Sequence, residues 1–202
     1  MLTVDQLLSI GKDDLPEASK SFTKEDLNTL IGWLSEKDDK IRYQALQILQ
    51  KRAELTSDIY SYWEVFYNKL KDVNSYQRSI GLIMIAENAR WDVEDRLKHD
   101  INEYLRLVND EKPITVRSCL QNLCKIVPYK PELHKIISTK LMEIDISKVR
   151  ETMRKLILTD ILSVLLLIRK NKTSDEIESY IFKALASGIL DKKAVKQVES
   201  MM

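Results

Sequence analysis

The sequence predicts an all-α protein built of helix pairs, on three observations. Apolar residues recur at helical spacing along almost the whole chain, and the period-two alternation of a half-buried strand is nearly absent. Only four Gly and four Pro occur in 202 residues, too few for the tight turns of a sandwich or barrel. An arginine set among matched apolar columns returns every 33 to 39 residues. Hydrophobic residues at 44% and charged residues at 31% fit an ordered core with a solvated surface, not a disordered chain.

The elements follow in order from capping chemistry and periodicity. MLTVDQLLSIGKDD has no basic region before a long apolar run, so no secretory signal is expected. Thr23 is placed to cap a helix over 24–36, whose Leu27, Leu30, Ile31 and Leu34 share one face. Asp38 or Asp39 caps the next helix. Ser57 caps a third, bearing Ile59, Trp63, Phe66 and Leu70, and Asn74 caps a fourth running to about Asn88. Asp92 opens a helix with Leu97, Ile101, Tyr104 and Leu105 inward, and Pro113 and Pro131 suit first-turn positions where no backbone donor is needed. LILTDILSVLLLI, 156–168, is shorter than the roughly 20 apolar residues of a membrane span and carries Asp160, so it reads as a buried helix. Thr173 and Glu176 form a capping box, and Gly188 ends the helix that follows. About ten or eleven helices result.

The recurring motif organises them. Arg42, Arg78, Arg117 and Arg150 stand near the start of alternate helices, in KIRYQALQIL, YQRSIGLIMI, TVRSCLQNLC and KVRETMRKLI, at separations of 36, 39 and 33 residues. Three residues after each come Ala45, Gly81, Leu120 and Met153. Six after come Ile48, Met84, Leu123 and Leu156, and seven after come Leu49, Ile85, Cys124 and Ile157. These offsets lie on one helical face, so the same face is expected to be buried four times. Six residues before the arginines stand Glu36, Asp72, Glu111 and Ile144, with Asp145 one place off in the last.

The pattern resembles HEAT repeats, tandem helical hairpins in which a turn acid precedes a Val-Arg or Ile-Arg pair at the head of the second helix. The resemblance covers about residues 24–170 and departs from the pattern at Gln77. It implies a right-handed α-solenoid of about four to five antiparallel helix pairs in a single domain, 1–202. The repeats would fall at approximately 24–54, 57–88, 92–127 and 131–170, with caps at 1–22 and 174–202. It also implies an inter-repeat ladder in which Arg42, Arg78, Arg117 and Arg150 face neighbouring turns, with Asp72 and Glu111 the best-matched acids.

No catalytic or cofactor motif stands out. Gly11, Gly32, Gly81 and Gly188 are isolated, so there is no phosphate-cradling loop and no nucleophile elbow. His99 and His134 lack a spaced ligand set, and exposed or capping roles are expected. Cys119 and Cys124, five apart on a helix, point about 140° away from each other and read as small buried hydrophobes in a reducing compartment. Asp160 calls for a structural partner. The aromatic run IYSYWEVFY projects onto one arc and reads as core. No cofactor and no metal are expected.

The function expected is that of a non-enzymatic, cytoplasmic scaffold binding a protein or peptide partner along the surface of its second helices. Opposite the core columns that face carries Tyr43, Gln47 and Gln50, then Ser79, then Ser118, Asn122 and Lys125, then Glu151 and Lys155. It is a mixed, mostly neutral surface without a Lys/Arg track for phosphates. Thirty-two basic against 31 acidic side chains give a net charge of +1, with no global attraction to nucleic acid or anionic lipid. The alternative is a DNA-binding protein, since some bacterial HEAT-like proteins resemble glycosylases that excise alkylated bases. Trp91-Asp92 flanked by Arg90 and Arg96 is the nearest local match to such a site, although Asp92 also reads as a helix cap.

Overall fold

The structure is a computed structural model and describes residues 2–202. The described residues form twelve α-helices joined by short 3₁₀ segments and turns, and no strand occurs among them. The chain divides into two compact units, one running to Arg96 and the other from Leu97 to Met202. No helix among the described residues is long and apolar enough to cross a membrane.

The first unit holds α1 (Val4–Ser9), α2 (Leu15–Ser21), α3 (Lys24–Trp33), α4 (Asp39–Leu55), α5 (Trp63–Lys69) and α6 (Ser75–Asn88). Thr3 and Thr23 form capping boxes with Gln6 and Asp26, Asp38 and Asn74 cap α4 and α6, and Pro16 sits in the first turn of α2. Helix α4 packs against α1, α2, α3 and α6, and α5 packs against α6. The aromatic run is core: Ile59, Trp63, Phe66 and Leu70 are fully buried, each contributing about 1.5–3 kcal/mol through removal from water. Helices α5 and α6 approach so closely at Gly81 that a Cβ there would lie 2.7 Å from the carbonyl oxygen of Phe66.

The expected helix from Ser57 begins differently. A 3₁₀ segment, Asp58–Tyr62, precedes α5, and Ser57 makes no side-chain cap. The Asp58 carboxylate is instead taken by Arg52 and by the hydroxyl of Thr56, which tightens the turn.

The second unit holds most of α7 (Arg96–Arg106), then α8 (Pro113–Ile126), α9 (His134–Met142), α10 (Glu151–Asn171), α11 (Asp175–Ala186) and α12 (Lys192–Met201). Helix α10 is its centre and packs against α8, α9, α11 and α12. Ile157, Leu158, Ile161, Leu162, Val164, Leu165, Leu166 and Ile168 are all buried, as its apolar run requires. Asp92 does open α7, but from four residues away, by accepting the Arg96 N–H at 2.9 Å. The cap of α11 is Ser174, not Thr173, because the Ser174 hydroxyl accepts the Ile177 N–H. Gly188 then turns the chain with φ +74°, in the left-handed region open to glycine.

Candidate functional site

Two of the four motif arginines, Arg42 and Arg78, close the connection that precedes their helix. Side chains on a helix lean toward its N-terminus, so an arginine in the first turn reaches back over the preceding connection. Arg42 donates to the carbonyl of Glu36 at 2.7 Å, and Arg78 donates to those of Asp72 and Val73 at 2.9 and 3.0 Å. The last carbonyls of a helix have no intrahelical partner, and these bonds satisfy carbonyls in the turns that follow α3 and α5. Arg42 also pairs with Asp39 on its own helix and lays its guanidinium 5.6 Å from the ring centre of Tyr76 on α6.

The ladder acids are engaged elsewhere. The Asp72 carboxylate accepts the Asn74 N–H, while the exposed Glu111 lies 3.7 Å from Lys112. Arg117 does reach a neighbouring helix, but its partner is Asp160 in the middle of α10. Its Nε donates at 2.7 Å, and Gln121 donates to the same carboxylate at 3.2 Å. Arg150 is the exposed residue that immediately precedes α10. Arg154 takes the role instead, donating to the carbonyls of Val149 and Ser147 at 2.9 and 2.7 Å.

The same economy runs through the chain, whose only glycine at positive φ is Gly188 among the described residues. Arg52 closes α2 at the carbonyls of Ser19 and Lys20, and Gln77 closes α3 at Leu34. The Nε2–H of His134 closes α8 at Val127, so this histidine is a buried cap while His99 is exposed. Side chains supply what left-handed glycines supply elsewhere.

This bears on the DNA alternative. The Trp91 indole donates to the Ala53 carbonyl at 2.7 Å and Arg90 donates to that of Glu54 at 3.1 Å, both closing α4. Asp92 is buried and accepts the Tyr60 hydroxyl at 2.8 Å. Desolvation, with Asp92 alongside, pushes the Tyr60 hydroxyl above its ordinary pKa. Arg96 pairs with Glu94 and stacks over Tyr60. The tetrad is thus committed to holding helix ends and a turn together.

The expected partner face is brought only partly to the surface. Tyr43 is 59% exposed, and Lys125 and Glu151 are exposed. Gln47, Ser79 and Ser118 are half-buried, and Gln50 donates to Glu87 on α6. Asn122 is a further correction. It is buried, and its amide turns back to the Ser118 carbonyl at 2.8 Å, so the adjacent Gln121 is the exposed amide of α8. A helical period places both on the polar flank, and packing decides which one is covered.

Lys155 is where this face becomes concave. It belongs to a groove of about 400 Å³ between α8, α10 and α12, walled by Arg117, Gln121, Leu156, Asp191, Lys193 and Gln197. Lys155 donates to Asp191 at 2.9 Å, and Asp191 also caps α12 through the Ala194 N–H. Those bonds hold the Asp191 carboxyl below its ordinary pKa, the Lys155 bond foremost. Leu156, expected inward at its column, is 37% exposed and gives the groove an apolar spot. Periodicity could not reveal the third wall, because α12 comes from the segment expected only to cap the fold.

The cysteines offer no accessible thiolate. Cys119 is fully buried, its thiol pushed well above the ordinary range by desolvation, and burial raises Cys124 to about 11. Both are free thiols, and no group of three or more His, Cys, Asp or Glu side chains is placed to hold a metal ion among the described residues. No protein-family model matches the chain, and no curated protein matches it.

Proposed function

We propose that the protein is a non-enzymatic, HEAT-like helical scaffold of the cytoplasm that binds a protein or peptide along the surface of its second helices. The observation that carries this reading is the groove between α8, α10 and α12. Its walls bring amides, an apolar spot and rim charges together, and the carboxylates that line it are engaged by Arg117, Gln121 and Lys155. Such a surface makes adaptable contacts with a polypeptide. Packing of α4 on α6 and of α8 on α10, with capping arginines near the heads of α4, α6 and α10, supports the repeat reading.

The test is affinity capture with the tagged full-length chain and a variant carrying Gln121→Ala, Lys155→Ala and Gln197→Ala, circular dichroism confirming equal helicity. A partner retained by the wild type and lost from the variant is the expected result. Partners that bind both chains alike would remove the groove as the binding site.

A further inference from the structure

The charge in the groove is unevenly satisfied. Asp160 is occupied by Arg117 and Gln121, and Asp191 by Lys155 and the α12 backbone. Lys193, on the opposite wall, has no carboxylate partner among the described residues, and neither do its neighbours Lys192 and Lys196. All three lysines fall within the first five residues of α12, which has no acidic residue in its first turn. The amino end of a helix carries partial positive charge, so lysines there are placed unfavourably. Asp191, half-exposed and already bonded to Lys155, offsets only part of that.

The free valences are therefore cationic on the α12 wall, amide at Gln197, and apolar at Leu156 between α8 and α12. The Nε and Nη2 donors of Arg117 are taken by Asp160, which also matches its charge, so it brings no unmatched cation to a phosphate in the groove. Three flexible lysines make no continuous track for a nucleic-acid backbone either. Carboxylates spaced along a polypeptide, with an apolar side chain among them, match all three features.

We propose that the groove between α8, α10 and α12 takes an acidic peptide segment, with one carboxylate at Lys193 on its wall, a second at the exposed Lys196 one turn further along α12 and outside the lining, and an apolar side chain against Leu156. This rests on the adaptor reading of the same groove and names the partner's chemistry. Binding of this kind draws on rim charges of modest individual strength and weakens as salt shortens the screening length.

The experiment uses the full-length chain and fluorescein-labelled peptides of alternating Glu and Leu, with counterparts carrying Gln or Lys in place of Glu, and a single-stranded oligothymidine. Anisotropy is expected to show selective binding of the Glu peptide, weakened about tenfold by K193E/K196E and less by K193Q/K196Q. Both lysines are exposed, so the variants keep their helicity, which circular dichroism checks. Equal binding of the Gln peptide, preference for the Lys peptide or the oligonucleotide, or indifference to K193E/K196E would each overturn the proposal. A captured partner that needs Gln121 and Lys155 yet is not acidic would overturn this inference alone, whereas partners indifferent to the groove would overturn the adaptor reading.

Discussion

The buried ammonium of Lys69 donates to the side-chain carbonyl of Gln77, whose amide donates in turn to the carbonyl of Leu34 at the end of α3. Lys69 also donates to the Ser35 hydroxyl at 2.9 Å. One polar chain thus ties α3, α5 and α6 together. Gln77 is the position at which the sequence departs from the Ile-Arg and Val-Arg pairs at Arg42, Arg117 and Arg150, and its side-chain carbonyl gives the buried lysine beside it a partner. Replacing Gln77 by Leu, apolar like the Ile and Val at the matching positions, leaves both Lys69 and the Leu34 carbonyl short of a partner. A loss of about 2–3 kcal/mol in urea denaturation is expected. Adding Lys69→Met to that variant should recover part of the loss, because the unpaired charge is then gone.

The same lysine gives a pH signature. Desolvation lowers its pKa from the ordinary 10.5, with Asp72 opposing, so the folded protein holds this proton less tightly than the unfolded chain. Stability should therefore rise with pH through the window from the lowered value up to 10.5, as the cost of the buried charge is relieved. Measured as the difference between wild type and Lys69→Met, the sign is decisive: a gap that moves against the wild type as the pH rises through that window would contradict it.

Arg154 and Arg150 separate the capping role from the motif. Arg154→Ala should cost about 1 kcal/mol through two lost carbonyl bonds, while Arg150→Ala should fall within about 0.5 kcal/mol of wild type. Chemical denaturation of the two variants side by side checks the order.

Two glycines should respond in opposite directions. Gly32 is exposed in α3, and a Cβ placed there would meet nothing within 4 Å, so Gly32→Ala should stabilise by about 0.5–1 kcal/mol. Gly81→Ala meets the Phe66 carbonyl at 2.7 Å and the Leu70 backbone nitrogen at 3.1 Å, and should destabilise by about 1–3 kcal/mol despite better helix propensity. Thermal melts of both variants test this.

Arg117 and Asp160 join α8 to α10, and Asp160→Ala leaves a partly covered guanidinium behind. A double-mutant cycle with Arg117→Ala should return a coupling of about 1–3 kcal/mol, below that of a fully buried pair because Arg117 is 28% exposed. Additive losses would mean the pair fixes geometry without contributing stability.

What could be read from sequence follows the range of the interactions. Thr23, Asp38 and Asn74 cap the nitrogens two or three residues ahead, so their roles are written locally. The apolar columns likewise needed only a helical period. Arg154 escaped because the 3₁₀ segment Ile146–Lys148 shifts the start of α10, and spacing alone cannot tell which of two arginines then overhangs the turn. Asp160 announced a partner but not which one, since Arg117 lies 43 residues away. The groove needed the placement of α12, which no repeat column describes. Trp91 and Arg90 looked like a site because indole and guanidinium serve both base recognition and carbonyl capping, and only the positions of Ala53 and Glu54 distinguish the two.

Five side chains that close helix ends and turns come from residues later in the chain than the carbonyls they seal: Arg52 for Ser19, Gln77 for Leu34, Trp91 for Ala53, His134 for Val127 and Arg154 for Ser147. For α2, α3, α4 and α8 the end of the helix is therefore completed by a residue that follows it in the chain, so a fragment stopping at any of these ends would leave its last carbonyls to water.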